Sequence, residues 1–333
     1  MKCFCAPTFY WKKCWRIRTS LGTPFPCLPA SCTTDILKRG LTLKKIGVVG
    51  IVGGWSSEKL ADAVAERTGF RLLVDPGAVR LDLPSGRVLS GEVELNSLDG
   101  LIIKKIGTDY SPDLLDRLEV FRFLASRGMP VFSNPLNIIR VLDRLTCTIT
   151  LQLAGIPMPP LTITEDIDAA LEAVTQYGEA VFKPLYSTKA RGMIVLRPDR
   201  ETRAIIEKYK AAHRIMYIQK KIELNGRDLG VVFLGGQYLT TYARTCRNDS
   251  WNTTTASGGK YQPHEPPEEI VALAHTAQAP FGLDFTCVDV VETAEGPQVF
   301  EVSAFGGFRG IQEACGIDAA KHYADYVCGR IGA

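Results

Sequence analysis

Val181-Phe182-Lys183-Pro184-Leu185-Tyr186-Ser187-Thr188-Lys189-Ala190-Arg191-Gly192 is the stretch on which the fold turns. Its start continues a β-rich apolar run, so a strand carries Lys183 into an apolar setting, where an ammonium group is costly unless it meets an anion. A loop of small hydroxyl residues, two further cations and a closing glycine follows. Backbone donors together with Lys183, Lys189 and Arg191 would suit a triphosphate. Alone, the segment reads as an edge-strand lysine beside an ordinary hairpin loop.

Two acids near the far end of the chain change that reading. Asp289 in Cys287-Val288-Asp289-Val290-Val291 and Glu301 in Val299-Phe300-Glu301-Val302-Ser303 both interrupt apolar strands. A carboxylate there is expensive unless it is paired or bound to a metal. Hard oxygen donors on neighbouring strands, with little nitrogen or sulfur nearby, point to Mg²⁺ bridging phosphates. Solvent-facing strand acids are the alternative, and the Val/Phe context weighs against it.

Outward from these segments, residues 46–54 form a β-turn-α start, followed by a helical pattern over 57–67 and strands over 70–74, 100–103 and 131–132. A hairpin lies around Pro84-Ser85-Gly86 and a helix over 113–127, so the alternation predicts a small parallel α/β sheet. Helical patterns cover 137–154, stopped by Gly155 and Pro157, and 166–177, 200–212 and 318–331; strands are expected over 180–185, 193–196, 215–219, 228–234, 237–244, 285–291 and 297–302. Gly50, Gly53 and Gly54 lack G-x-G-x-x-G spacing and read as a tight turn rather than a dinucleotide site, and no Walker G-K-[ST] occurs.

Composition is that of a multi-lobed globular protein, 46% hydrophobic and 23% charged, and no apolar run of about 18 residues is present to span a bilayer. The first 40 residues carry seven Lys/Arg and one acid, Asp35, which leaves the body mildly acidic although the chain totals +3. That argues against nucleic acid as a partner. Five of the ten cysteines lie in the same tail and the others are scattered, as expected of buried thiols in a reducing, cytoplasmic setting. Residues 1–43 are expected to be a disordered extension, because they have neither a periodic apolar face nor a signal-peptide core.

In this order the features resemble the ATP-grasp superfamily, and within it the RimK-type and lysine-biosynthesis-type carboxylate–amine ligases. The resemblance runs from about residue 45 to the end, through Lys105-Ile106-Gly107-Thr108, Leu142-Asp143-Arg144, the Lys183 segment, Gln219-Lys220-Lys221-Ile222, Gly226-Arg227-Asp228, Arg244, Trp251-Asn252-Thr253-Thr254, Gly258-Gly259, Val288-Asp289 and Phe300-Glu301-Val302-Ser303. It implies an ATP-grasp fold of three parts: an N-terminal Rossmann-like α/β domain over 44–136, a central lid subdomain over 137–222 and a C-terminal subdomain over 223–333 with the metal acids.

The same resemblance implies roles. Lys183, Arg144 and Lys189 would meet the phosphates of ATP, and Gln219, Lys220, Lys221 and Ile222 would form the hinge whose backbone reads adenine. Asp228 would face the ribose, with Asn252 and Thr254 near the nucleotide. Arg244 would stabilise an acyl phosphate and the tetrahedral intermediate; Asp289, Glu301 and Ser303 would hold Mg²⁺ or Mn²⁺. Departures from the family pattern are the two hinge lysines, Asn252 and Thr254 in place of a cation and an asparagine, and Ser303 in place of an asparagine.

The implied activity is ATP-dependent ligation of a carboxylate to an amine or thiol through an acyl phosphate. The substrates would be small molecules, peptides or proteins, with no nucleic acid or membrane partner, and a homo-oligomer is compatible with this. Lys105 and Arg309 are candidate anchors for a substrate carboxylate. The alternative is an ATP-binding regulatory or scaffold protein.

Overall fold

The computed structural model describes residues 44–246, 252–254 and 258–332. The expected extension, residues 1–43, and Trp251 lie outside them.

The N-terminal sheet is parallel, in the order β2 (Leu73–Val74), β1 (Ile46–Val49), β6 (Gly100–Ile103), β7 (Val131–Phe132). β1 and β6 are buried at every residue, the pattern of strands covered on both faces. Helices α1 (Trp55–Thr68) and α2 (Asp113–Ser126) supply the cover, and a small antiparallel sheet, β3 (Val79–Asp82), β4 (Arg87–Ser90) and β5 (Val93–Glu94), lies between β2 and β6 in the chain.

The helical pattern over 137–154 is two helices, α3 (Pro135–Leu142) and α4 (Arg144–Leu153), rather than one. Asp143 breaks it: its backbone is extended and its side chain accepts from the Leu145 N–H, so it caps α4 and puts Arg144 in the first turn.

The second sheet is antiparallel, in the order β10 (Ile194–Leu196), β9 (Ala180–Lys183), β11 (Met216–Lys220), β8 (Leu161–Thr164). Strand alternation divides its residues. Ala180, Phe182, Met216 and Ile218 pack under α5 (Ile167–Tyr177) and α6 (Thr202–Ala212), while Val181, Lys183 and Gln219 occupy the other face.

The third sheet has the order β14 (Lys260–Pro263), β13 (Gln237–Thr245), β12 (Arg227–Leu234), β15 (Phe285–Thr293), β16 (Gly296–Ser303), all antiparallel. Gly235 and Gly236, at φ 58° and 76°, make the two-residue turn joining β12 to β13, which needs positive φ at both positions. Leu229, Val231, Phe233, Val288, Val290, Val299 and Val302 face a core shared with α7 (Glu268–Gln278) and the N-terminal sheet. On the opposite face Val232, Phe285 and Cys287 meet α8 (Phe308–Cys315) and α9 (Ala319–Ile331), and α9 returns to α1 through the Arg67–Asp325 ion pair.

Candidate active site

The open faces of the second and third sheets enclose a cleft of ≈ 320 Å³. Lys183 and Gln219 enter from β9 and β11, and Asp228, Arg244, Asp289, Glu301 and Ser303 from the third sheet. Of the loop cations, Arg191 stays outside, exposed and donating to the Thr188 and Thr108 carbonyls, while Arg144, Lys189, Lys220, Lys221, Ile222, Asn252 and Thr254 also line the cleft. Lys105, at the end of β6, joins them. Arg309 does not: it stacks on Trp55, 5.3 Å from the ring centroid, beside Glu313.

The charges are paired across the cleft. Arg144, its side chain 8% exposed, donates from Nη1 to Glu301 Oε2 at 2.8 Å and from Nε to the Pro184 carbonyl. Burial is the largest influence and works against its charge, but the attraction and hydrogen bond of Glu301, with Tyr217 nearby, together raise its pKa. Lys183 donates to Gln219 Oε1 at 2.5 Å and meets no carboxylate directly among the described residues. Burial, with Arg144 nearby, lowers its pKa to about 7. Arg244 forms a two-point contact with Asp228 and reaches Asp289 Oδ2 at 3.0 Å.

Asp289 and Glu301 lie directly opposite one another on β15 and β16, and burial raises Asp289 to about 6 despite Arg244. An irregularity beside this pair leaves Phe300 without a partner on β15, so Phe300 and Glu301 both line the cleft. Ser303 lies two residues along β16 from Glu301 and accepts from the Phe305 N–H. Among the described residues no group of three or more His, Cys, Asp or Glu is placed to hold a metal. Two adjacent carboxylates still suit Mg²⁺, which commonly takes one or two carboxylates and completes its shell with water and phosphate oxygens.

In the segment expected to be the hinge, the N–H groups of Lys220 and Lys221 already donate to the Pro160 and Glu179 carbonyls, at 2.8 and 2.9 Å. The Ile222 N–H has no acceptor among the described residues. The Lys221 ammonium pairs with Glu179. Thr254 turns back on Asn252, donating both its N–H and its hydroxyl to Oδ1.

Several residues of the site escaped sequence reasoning. Tyr242 lines the cleft two residues before Arg244, on the same face of β13, and strand alternation would have found it. Thr253, whose hydroxyl donates to Asp228 Oδ1 at 2.6 Å, lies between the two loop residues that were singled out. Lys104 is fully buried, donates to the Gly306 carbonyl at 2.7 Å and sits 3.6 Å from the Phe308 ring centroid. An ammonium closing the run Gly100-Leu101-Ile102-Ile103 was the available signal.

Comparison with known proteins agrees with this geometry. A family model described as RimK-like ATP-grasp domain matches residues 141–327. The tetrahydromethanopterin:alpha-L-glutamate ligase of Methanosarcina acetivorans is 25% identical over 320 residues, covering 86% of this chain and 99% of that protein. A probable alpha-L-glutamate ligase of Legionella pneumophila is 26% identical over 211 residues, 62% of this chain and 70% of that one. Among solved structures, the ATP-grasp ligase PsnB complexed with minimal precursor superposes with a TM-score of 0.68 at 18% identity, over 86% of this chain and 99% of PsnB. A RimK domain ATP-grasp protein from Sphaerobacter thermophilus does so at 0.66 and 22%, over 85% and 98%. At these identities the structural likeness speaks for the fold.

Proposed function

The chain belongs to the RimK-like ATP-grasp family and is a ligase forming C–N bonds; from that premise we propose that it activates a carboxylate as an acyl phosphate with Mg·ATP and passes the acyl group to an amine, releasing ADP and phosphate. The observation that carries this reading is the meeting, in one cleft, of Lys183 and Arg144 with Asp289, Glu301 and Arg244. The first pair supplies cations for phosphate oxygens, the acids supply hard donors for Mg²⁺, and Arg244 remains for charge that develops on the reacting carboxyl group.

Asp289 and Glu301 would hold the Mg²⁺, with Ser303 beside them. The metal, when bound, would neutralise charge on the transferring phosphoryl group. Both acids are paired with arginines in the structure, so Glu301 would give up Arg144 to hold the metal, and Arg144 would be left to meet phosphate oxygens. Ile222 donates to the adenine edge, being the hinge N–H without an acceptor. Lys105, which lines the cleft, donates to the Phe305 carbonyl at 3.2 Å and is lowered by burial to about 8, anchors a substrate carboxylate.

The glutamate ligases among the relatives support glutamate as the first amine to test, and the precursor bound by PsnB supports peptides as the next. The test is ADP release with mixtures of amino acids, peptides and polyamines, run against Mg²⁺ concentration. Asp289→Asn and Glu301→Gln should weaken Mg²⁺-dependent ATP binding and turnover together, because each removes charge from the metal site. Unchanged Mg²⁺ dependence in both variants would remove the metal assignment.

A further inference from the structure

Arg244 is shared between two carboxylates that hold it differently. Asp228 and Arg244 face one another across β12 and β13. The guanidinium meets the Asp228 carboxylate edge-on, Nε donating to Oδ1 at 3.0 Å and Nη2 to Oδ2. Asp289 meets the same Nη2, at 3.0 Å. A two-point contact fixes the plane and rotation of a guanidinium, whereas a one-point contact leaves rotation free. The Asp228 side chain is also the more buried of the two, 7% exposed against 16%. The Thr253 hydroxyl adds a hydrogen bond to Oδ1, so three of the roughly four acceptor positions of the Asp228 carboxylate are taken up within the protein, two of them by Arg244.

We propose that Asp228 is a positioning residue for Arg244, a role separate from any contact that it makes to the nucleotide. By gripping the Nε–Nη2 edge it directs the Nη1 end, which has no hydrogen-bond partner among the described residues, toward the reacting carboxyl group. It also leaves Arg244 a carboxylate partner once Asp289 is engaged by the metal. Thr253 acts one step further out, by fixing the Asp228 carboxylate. The inference rests on the role given to Arg244 above.

Asp228→Asn keeps the side-chain volume and removes the charge and one acceptor. In the full chain, turnover at saturating Mg·ATP should fall by about tenfold to a hundredfold. In an Arg244→Ala background the same substitution should cost almost nothing more, since the group that it positions is gone. Thr253→Val should give a smaller loss with the same non-additivity, and it serves if Asp228→Asn folds poorly.

Turnover of saturating 2′-deoxyATP separates positioning from ribose contact. On this proposal, Asp228→Asn lowers turnover with ATP and with 2′-deoxyATP alike. A turnover loss confined to ATP would overturn it, as would a full further loss in the Arg244→Ala background.

A readout independent of turnover is the Arg244 Nε–H signal in ¹⁵N NMR with Mg·ATP present. It should be protected from exchange in the wild type and in Asp289→Asn, and lost in Asp228→Asn; persistence in Asp228→Asn would contradict the proposal. A wild type that releases no ADP would count against the ligase reading while leaving this signal to decide the role of Asp228.

Discussion

Lys183 shows how a single residue sets the working conditions of the site. Its folded-state pKa of about 7 lies below the ordinary lysine value because burial outweighs the attraction of Glu301 and Asp289. Phosphate oxygens would favour the charged form and raise that value. Below pH 7 the ammonium is already present, and above it a proton must be taken up as Mg·ATP binds. Affinity contributed by Lys183 should therefore fall as pH rises through 7, approaching tenfold per unit. Calorimetric titration at about pH 8, in buffers of different ionisation heat, should show net proton uptake that Lys183→Ala abolishes while weakening binding severalfold or more. Equal affinity and equal proton uptake in the two proteins would dissociate Lys183 from the phosphates. The sequence disclosed this residue because it stands alone as a charge in an apolar strand. Lys104 stood at the end of such a run and was overlooked.

Among the elements, β12 and β13 carry a packing constraint close to the chemistry. Gly230 lies opposite both Tyr242 and Asp289, and a Cβ there would fall 2.5 Å from the Tyr242 ring. Tyr242 is boxed in by Tyr261, edge-on at 5.5 Å, and by the Cys287 thiol, so it has little room to yield. Gly230→Ala should cost about 1–3 kcal/mol, the usual range for overpacking, and should lower turnover more than Mg·ATP affinity because Arg244 is two residues from the displaced ring. A thermal melt matching wild type would show that the sheet absorbs the methyl group.

Elements of this kind were legible where one period dominated. β9 and β11 announced themselves as short apolar runs, and Asp289 and Glu301 by interrupting such runs. The break at Asp143 was hidden because both halves are helical by pattern and only the cap separates them. β8 was missed because four residues give alternation too few repeats, and it is held by pairing with β11 across a long chain separation.

At the scale of the whole molecule the cleft depends on all three main sheets. Lys104 and Lys105, at the end of β6, hold the Gly306 and Phe305 carbonyls, fastening the N-terminal sheet to the segment that follows Asp289 and Glu301. The second sheet supplies Lys183 and the hinge; the third supplies Asp228, Arg244, Asp289 and Glu301. Residues far apart in the chain thus meet in one cavity. Their order was readable as a family resemblance, whereas their ion pairing was not, since it depends on cross-strand register.

The central claim is that this cavity makes and transfers an acyl phosphate, with Arg244 acting mainly on charge that appears in the transition state. Its most direct test pairs a coupled ADP-release assay, with mixed acids and amines, with Mg·ATP titrations of the wild type and Arg244→Ala. The account predicts nearly unchanged Mg·ATP binding and a loss of about 10²–10³ in turnover. A wild type that binds Mg·ATP yet releases no more ADP than Arg244→Ala, with any acid and amine supplied, would contradict it.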